Sequence, residues 1–489
     1  MLKNTVKRGI AALVAATSAI ALLGGCSGEK EGDIVTLDWY MMKLVDNVSS
    51  QEAVENAVNE ILEKELGAHI SFHFIERGNY YEKMNTIISA GEKFDICYQS
   101  DVTKFLNNVK NGAFVPLDDM LQEYGQDILA KNYDYAWKSV TVDGEIYAVK
   151  SQGAYSKEVG TVFKKDLVEK YGFDYKSVDS IADLEPYLET IKQNEPSITP
   201  LLPTVTEVSH QYTDDSIKGL IYNEESKKYE KLYDVEMFKE RYKLLNKYYQ
   251  KGYIAKDAIT KTETTVEAKS GNYAVMGDSG FYTADGSKSS SQYGFPCVDA
   301  YMGQTMINPK GGAMNCISAT SEHPELAMKV LNLIWQNTDL SNTLAYGVEG
   351  INYSVNEERS AQIGSKSINP ATGTDSTWTI YHNYIGPLFD QWDSAWNTKE
   401  SLDHMQEINK TAKQTGTVGF MFNSDPVKVQ YAKVSSIISE CDPVFKNGCM
   451  DDFDTYYNDV LARLDEAGIN EILEEANSQL EAWRNGSEG

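Results

Sequence analysis

The chain has 489 residues, 42% of them hydrophobic and 11% aromatic, with a formal charge of −27. That length exceeds one compact core and calls for two or three domains, and the composition is that of a folded protein rather than a disordered one. A surface this acidic repels phosphate backbones and anionic lipid headgroups, so nucleic acid is a poor partner and any membrane attachment must rest on something other than charge.

The chain opens with Lys3, Lys7 and Arg8, followed by an uncharged run of Ala, Leu, Ile and Val from Gly9 to Leu23. This is the form of a bacterial secretion signal, and the run falls short of the roughly 20 residues needed to span a bilayer. Its end, Leu22-Leu23-Gly24-Gly25-Cys26, resembles a lipobox. The resemblance implies removal of 1–25, a diacylglyceryl group on Cys26 and acylation of its new amino terminus, with 26–33 as a flexible tether.

From residue 34 the pattern becomes regular. Residues 34–39 (IVTLDW) read as a strand, and Ser49 with Glu52 has the spacing of a capping box. Val54, Val58, Ile61, Leu62 and Leu66 follow at helical spacing before Gly67. Residues 69–75 alternate like a strand, a helix runs through Met84, Ile87 and Ile88 to Gly91, residues 94–98 (FDICY) make a buried strand, and Phe105, Leu106 and Val109 mark a helix. Alternating strands and helices joined by short turns predict a right-handed, mostly parallel sheet, whose ligands bind beyond the carboxyl ends of the strands. Trp39, Tyr40, Gln99 and Asp101 then fall at the expected site edge.

Short strands are predicted at 145–149, 161–163 and 272–276, and helices at 181–193, 235–250 and 262–270. Near 292–298 the pattern points to a return to the first lobe, followed by a helix that carries Ala327, Met328, Leu331, Ile334 and Trp335. Residues 338–396 are loop-rich and aromatic, and helices are predicted over 427–440, 453–467 and 469–483. With Cys26 lipidated, five cysteines remain. Cys441 and Cys449 are close enough in sequence to pair, and Cys97, Cys297 and Cys316 read as buried thiols.

The phrases at 84–96, 111–124, 137–149, 163–171, 271–277 and 323–333, in that order, resemble extracellular solute-binding protein family 1, the maltose-binding-protein-like receptors of ABC importers. Residues 416–430 with 464–483 resemble the domain of unknown function that ends one lipoprotein subfamily. One departure is Lys150, where the family often has proline. The resemblance implies an α/β, two-lobed periplasmic-binding-protein-like fold of type II, with hinge-connected, mostly parallel sheets that close on a ligand. It places lobe one at 34–148 plus 297–338, lobe two at 149–296 plus 339–420, and a helical C-terminal region at 421–486 packed on lobe two.

The parts of an enzyme are missing. There is no Gly-x-Gly and no Gly-Lys, so dinucleotide and P-loop fingerprints are excluded. Gly277-Asp278-Ser279-Gly280 is one residue short of a nucleophile elbow, and Asp442, Asp451, Asp452 and Asp454 do not match a calcium-loop spacing. His69 and His73 share one face of a strand, which fits solvated or cross-strand contacts better than a metal. No cofactor or metal is expected. Only a spatial pair of glycosidase carboxylates, which has no spacing rule, stays open.

A sugar site needs flat aromatic faces and planar hydrogen-bonding groups. Tyrosine outnumbers phenylalanine 31 to 15, which suits a wet cleft because the ring is apolar and its tip polar. The candidates are Trp39, Tyr40, Gln99 and Asp101, then Tyr155 after the first crossover and Trp378 in the loop-rich segment. In the maltose-binding relatives the stretch that matches the one after the strand 272–276 carries sugar-stacking aromatic residues, which implies roles for Phe281 or Tyr282, with Asp278 as acceptor in the same turn.

The expected protein is therefore a monomeric, lipid-anchored receptor on the outer side of a bacterial membrane. It would capture an oligosaccharide and deliver it to the permease of an ABC importer. A receptor for a peptide or another solute, and a surface lipoprotein enzyme acting on glycans, are the alternatives.

Overall fold

The computed structural model describes residues 34–261, 263–277, 283, 285–308, 312–372, 375–395 and 397–487. Cys26, and with it the signal and tether expected at 1–33, lies outside the described residues.

The first lobe is built on a five-stranded sheet in the order Ala68–Glu76, Val35–Lys43, Ile96–Gln99, Met314–Ile317, Val149–Lys150. The first three strands pair in parallel, and Met314–Ile317 runs against both its neighbours. The helix Gln51–Leu66 covers one face because Val54, Val58 and Leu62 recur every fourth residue, and all three are fully buried. Gly67 ends this helix and Gly91 ends Tyr80–Ala90, both in the left-handed conformation. The expected capping box does not form. Ser50 rather than Ser49 holds the N-cap position, and its Oγ bonds Thr377 Oγ1 at 2.6 Å instead of a helix N–H.

The second lobe has a four-stranded sheet in the order Cys297–Gln304, Glu158–Lys164, Tyr273–Gly277, Thr199–Leu201. Only the last pair is parallel here, against two of the four pairs in the first sheet, so both sheets are mixed. The strands that enter and leave the lobe, Glu158–Lys164 and Cys297–Gln304, lie side by side and must run in opposite directions.

Two expected boundaries move. Cys297–Gln304 is a lobe-two strand in register from Cys297 opposite Lys164 to Gln304 opposite Glu158, so the chain returns to lobe one after it and not at 297. The residues after 338 also do not open on lobe two. The helix Thr338–Tyr346 buries Leu340, Leu344 and Ala345 in the lobe-one core, and Trp378, Ile380 and Ile385 join it there.

The C-terminal helices Lys428–Asn447, Phe453–Ala467 and Ile469–Ser487 pack onto an antiparallel sheet of Tyr212–Asp214, Leu220–Asn223 and Lys228–Lys231. Val434, Ile438, Leu464, Ile472 and Leu480 share one core with Ile217, Leu220, Tyr222 and Tyr229. Asn477 closes the free edge of this sheet. Its Oδ1 accepts from Tyr229 N–H at 2.8 Å and its amide donates to Tyr229 O at 3.0 Å. Cys441 and Cys449 are free thiols, and Cys441 points its Sγ toward the Tyr233 hydroxyl.

Candidate functional site: a hinged cleft between two sheets

Three crossings join the lobes, at 151–157, at 305–308 with 312–313, and at 412–420. They are tied to one another as a ribbon. Thr305 N–H donates to Lys157 O at 2.8 Å, and Asn308 N–H to Tyr155 O at 3.3 Å. Ile307 N–H donates to Lys413 O at 2.7 Å, and Thr415 N–H to Ile307 O at 3.0 Å. Asn409, fully buried at the end of the helix Lys399–Thr411, fastens the first crossing. Its Oδ1 accepts from Tyr155 and Ser156 N–H at 3.1 and 3.3 Å, and its amide donates to Gly153 O at 2.7 Å. Backbone segments held by a few hydrogen bonds, with packed lobes on either side, are what a closing hinge requires.

The strand ends that face this hinge define the cleft. On lobe one, Gln99, Met314 and Lys150 stand opposite one another across three strands. Lys150 is 1% exposed and donates to Gly312 O at 3.3 Å, and burial lowers its ammonium pKa to about 7. The departure at Lys150 thus sits at the start of the first crossing. Gln99 Oε1 and Asn315 Oδ1 are buried and have no hydrogen-bond partner among the described residues. Beside them, Tyr98 stacks on Tyr384 with ring centroids 4.5 Å apart, and Tyr381 meets Tyr384 edge-on at 5.8 Å. Asn315 holds this pair by donating to Tyr384 O at 2.8 Å, and Tyr381 is 55% exposed. On lobe two, Tyr301, 43% exposed, lies opposite Gly160, and Gly277 ends its strand with N–H donated to Thr204 Oγ1 at 2.8 Å.

The sequence-predicted residues scatter. Trp39 is fully buried mid-strand, because the strand continues to Lys43, and its ring packs 5.5 Å from Phe72. Tyr40 is also mid-strand, stacked on His73 at 4.7 Å. Trp378 is a lobe-one core residue. It donates Nε1–H to Leu344 O at 2.8 Å and packs against Phe72 and Phe74. Tyr155 is in the hinge, its hydroxyl bonded to Ser151 O and its ring edge-on to Tyr133 and Tyr135. Gln99, fully buried, ends the strand Ile96–Gln99, and Asp101 lies two residues beyond it. Asp101 caps the helix Val102–Lys110 by accepting from Lys104 N–H at 2.9 Å. Asp278, Phe281 and Tyr282 lie outside the described residues. His69 and His73 contact Glu63 and Asp38 at 2.9 and 2.6 Å.

The residues missed by sequence reasoning are Tyr381 and Tyr384. Tyr381 and Tyr384 are three apart in the loop-rich aromatic segment, a spacing that puts two rings on one side of a turn.

Two α/β lobes, three tied crossings and a cleft at the strand ends define a hinged solute receptor. The chain belongs to the bacterial extracellular solute-binding protein family, whose model matches residues 47–336, and residues 416–485 match a domain of unknown function (DUF3502). It is 27% identical, over 97% of both chains, to a protein of Streptococcus pneumoniae serotype 4 described as a carbohydrate ABC transporter substrate-binding protein. The crystal structure of the N-glycan transport solute binding protein NgtS from Streptococcus pneumoniae matches with a TM-score of 0.77. Its sequence is 24% identical, over 91% of this chain and 98% of that one. NgtS in complex with Man1GlcNAc matches at 0.69, with 23% identity over 92% and 99% of the two chains. Lipoprotein LipO of Bacillus subtilis is 22% identical over 36% of this chain and 35% of its own.

Proposed function

We propose that this protein is a lipid-anchored receptor that captures an oligosaccharide between its lobes and hands it to the permease of an ABC importer. The observation that carries the reading is the full-length likeness to the carbohydrate transporter substrate-binding protein, at 27% over 97% of both chains. The cleft chemistry fits. Tyr381, 55% exposed, and Tyr384 offer ring faces for the apolar side of a pyranose. Asp278, Phe281 and Tyr282 remain proposed contacts from the opposite lobe.

A thermal-shift screen of the soluble form, lacking residues 1–26, against Man1GlcNAc, longer glycans and oligopeptides tests the ligand class. Stabilisation by glycans alone supports the reading, and stabilisation by peptides alone overturns it. The anchor rests on Leu22-Leu23-Gly24-Gly25-Cys26 and on the partial likeness to a lipoprotein. Cys26→Ser is expected to abolish lipid labelling and to release the protein or leave its signal uncut. A lipid-labelled, membrane-retained Cys26→Ser product would contradict the anchor.

A further inference from the structure

The third crossing is held from lobe two by the sheet that the C-terminal helices cover. Thr417, fully buried, donates its hydroxyl to Asp214 Oδ2 at 2.7 Å. The preceding Gly416 N–H donates to Glu224 Oε1 at 2.9 Å, and a Cβ at Gly416 would lie 2.7 Å from the Tyr222 hydroxyl. The residues on either side belong to the hinge itself. Thr415 N–H donates to Ile307 O of the second crossing, and Val418 packs with Tyr135 and Ile307. Two adjacent residues in the middle of a hinge segment are therefore fastened to one body.

The fastening is built on a buried carboxylate. Asp214 is 1% exposed, and besides Thr417 it accepts from the Tyr229 hydroxyl at 2.7 Å and from Ser216 N–H at 3.0 Å. A carboxylate at such depth is tolerated only where donors surround it, so Thr417 helps to hold Asp214 and Asp214 fixes where Thr417 sits. Burial, reinforced by the charge of Asp214, raises the Tyr229 phenol pKa, so that this hydroxyl stays a donor. The last helix grips the other side. Asn477 bonds both backbone groups of Tyr229, and Arg484 donates to the Tyr222 hydroxyl at 2.7 Å. Hydrogen bonds thus lead from Asn477 through Tyr229 and Asp214 to Thr417 in the hinge.

We propose that the C-terminal domain of unknown function governs closure of the cleft: its helices hold the Asp214 carboxylate against Thr417, and this grip fixes the third crossing to lobe two, so that the lobes turn about a short segment. Releasing the grip lengthens the free part of the hinge. The open state then gains conformational freedom, and less of the protein stands in the geometry that a ligand selects. The inference rests on the reading of the protein as a hinged receptor, and not on which solute it binds.

The test is the distribution of distances between spin labels on the two lobes, read by pulsed electron resonance in the ligand-free soluble form. Glu60→Cys and Gln193→Cys supply exposed label sites on lobe one and lobe two, with Cys449→Ser in the background because the other described cysteines are buried. Thr417→Val removes the hydroxyl and keeps the branched shape, Thr417→Ser keeps the hydroxyl, and Asn477→Ala acts from the tail without touching the hinge. Each is measured with its Tm. Thr417→Val and Asn477→Ala are expected to widen the distribution about 1.5-fold, and Thr417→Ser to leave it as in wild type. An unchanged width in Thr417→Val, whatever its Tm, would overturn the grip, since a lower Tm alone is what a purely structural contact gives. Equal widening in Thr417→Ser would overturn the role of the hydroxyl. An unchanged width in Asn477→Ala would overturn the role of the C-terminal domain, and it decides this even where Thr417→Val does not fold. The widths are read without ligand, so a wild type whose lobes do not approach when Man1GlcNAc is added would overturn the carbohydrate reading and not the grip.

Discussion

Lobe one closes its own core and lobe two does not. The first sheet, the helices Gln51–Leu66 and Pro324–Gln336 and the segment up to Ile385 form one continuous apolar cluster around Trp39, Trp335 and Trp378. The second lobe has a cluster around Phe163, Leu188 and Tyr248, and a separate one in which Ile217, Leu220, Tyr222, Tyr229, Tyr233 and Tyr242 are buried together with side chains of the C-terminal helices. An extension that supplies half of a core cannot behave as a tethered accessory.

The largest effect should come from removing it. Truncation near residue 420 would expose those six side chains, at roughly 1.5–3 kcal/mol each, a loss on the order of 10 kcal/mol that matches the whole stability of a typical domain. The full-length protein is expected to show two melting transitions, and the truncated one to keep the lobe-one transition and lose the lobe-two transition. Retention of both transitions in the truncated protein would break the comparison.

A smaller probe is Gly448, which ends the helix Lys428–Asn447 with φ of 66° and leaves no room, since a Cβ there would be 2.3 Å from Leu245 O. Left-handed strain plus a backbone clash should make Gly448→Ala cost roughly 2–4 kcal/mol, confined to the lobe-two transition in chemical denaturation. An equal shift in both transitions would contradict the separation of the cores.

Lobe one should be picked out by acid. His382 is buried and donates Nε2–H to Asn342 Oδ1, which also accepts from Trp392 N–H, and burial pushes its pKa down to about 3. The unfolded chain binds this proton near pH 6.5, so the stability given by a neutral His382 is complete above pH 6.5. It is lost as pH falls toward 3, by roughly 2 kcal/mol at pH 5. His382→Gln should flatten the lobe-one Tm between pH 6.5 and 5, and an unchanged slope would remove His382 from the account.

The same contrast governs what could be read from the chain. The helices of lobe one are legible because Val54, Val58 and Leu62 face one neighbour and Gly67 and Gly91 can take the positive φ that ends a helix. The pairing partner of Cys297–Gln304 is not legible, since alternation marks a strand without saying which sheet receives it. Trp39 and Trp378 illustrate a different limit. A large ring serves a core as well as a cleft, and only the extension of the strand to Lys43 and the hydrogen bond from Trp378 to Leu344 assign them to the core. Tyr381 and Tyr384 became visible once Asn315 and Tyr98, far away in sequence, were seen to hold them at the strand ends.

The claim that joins fold to function is that a glycan is held between the lobes by closure of the tied crossings. Small-angle scattering of the soluble form, with and without a glycan that raises its Tm, tests this most directly. The account predicts a smaller radius of gyration when the glycan is bound, and stabilisation with an unchanged radius would contradict it.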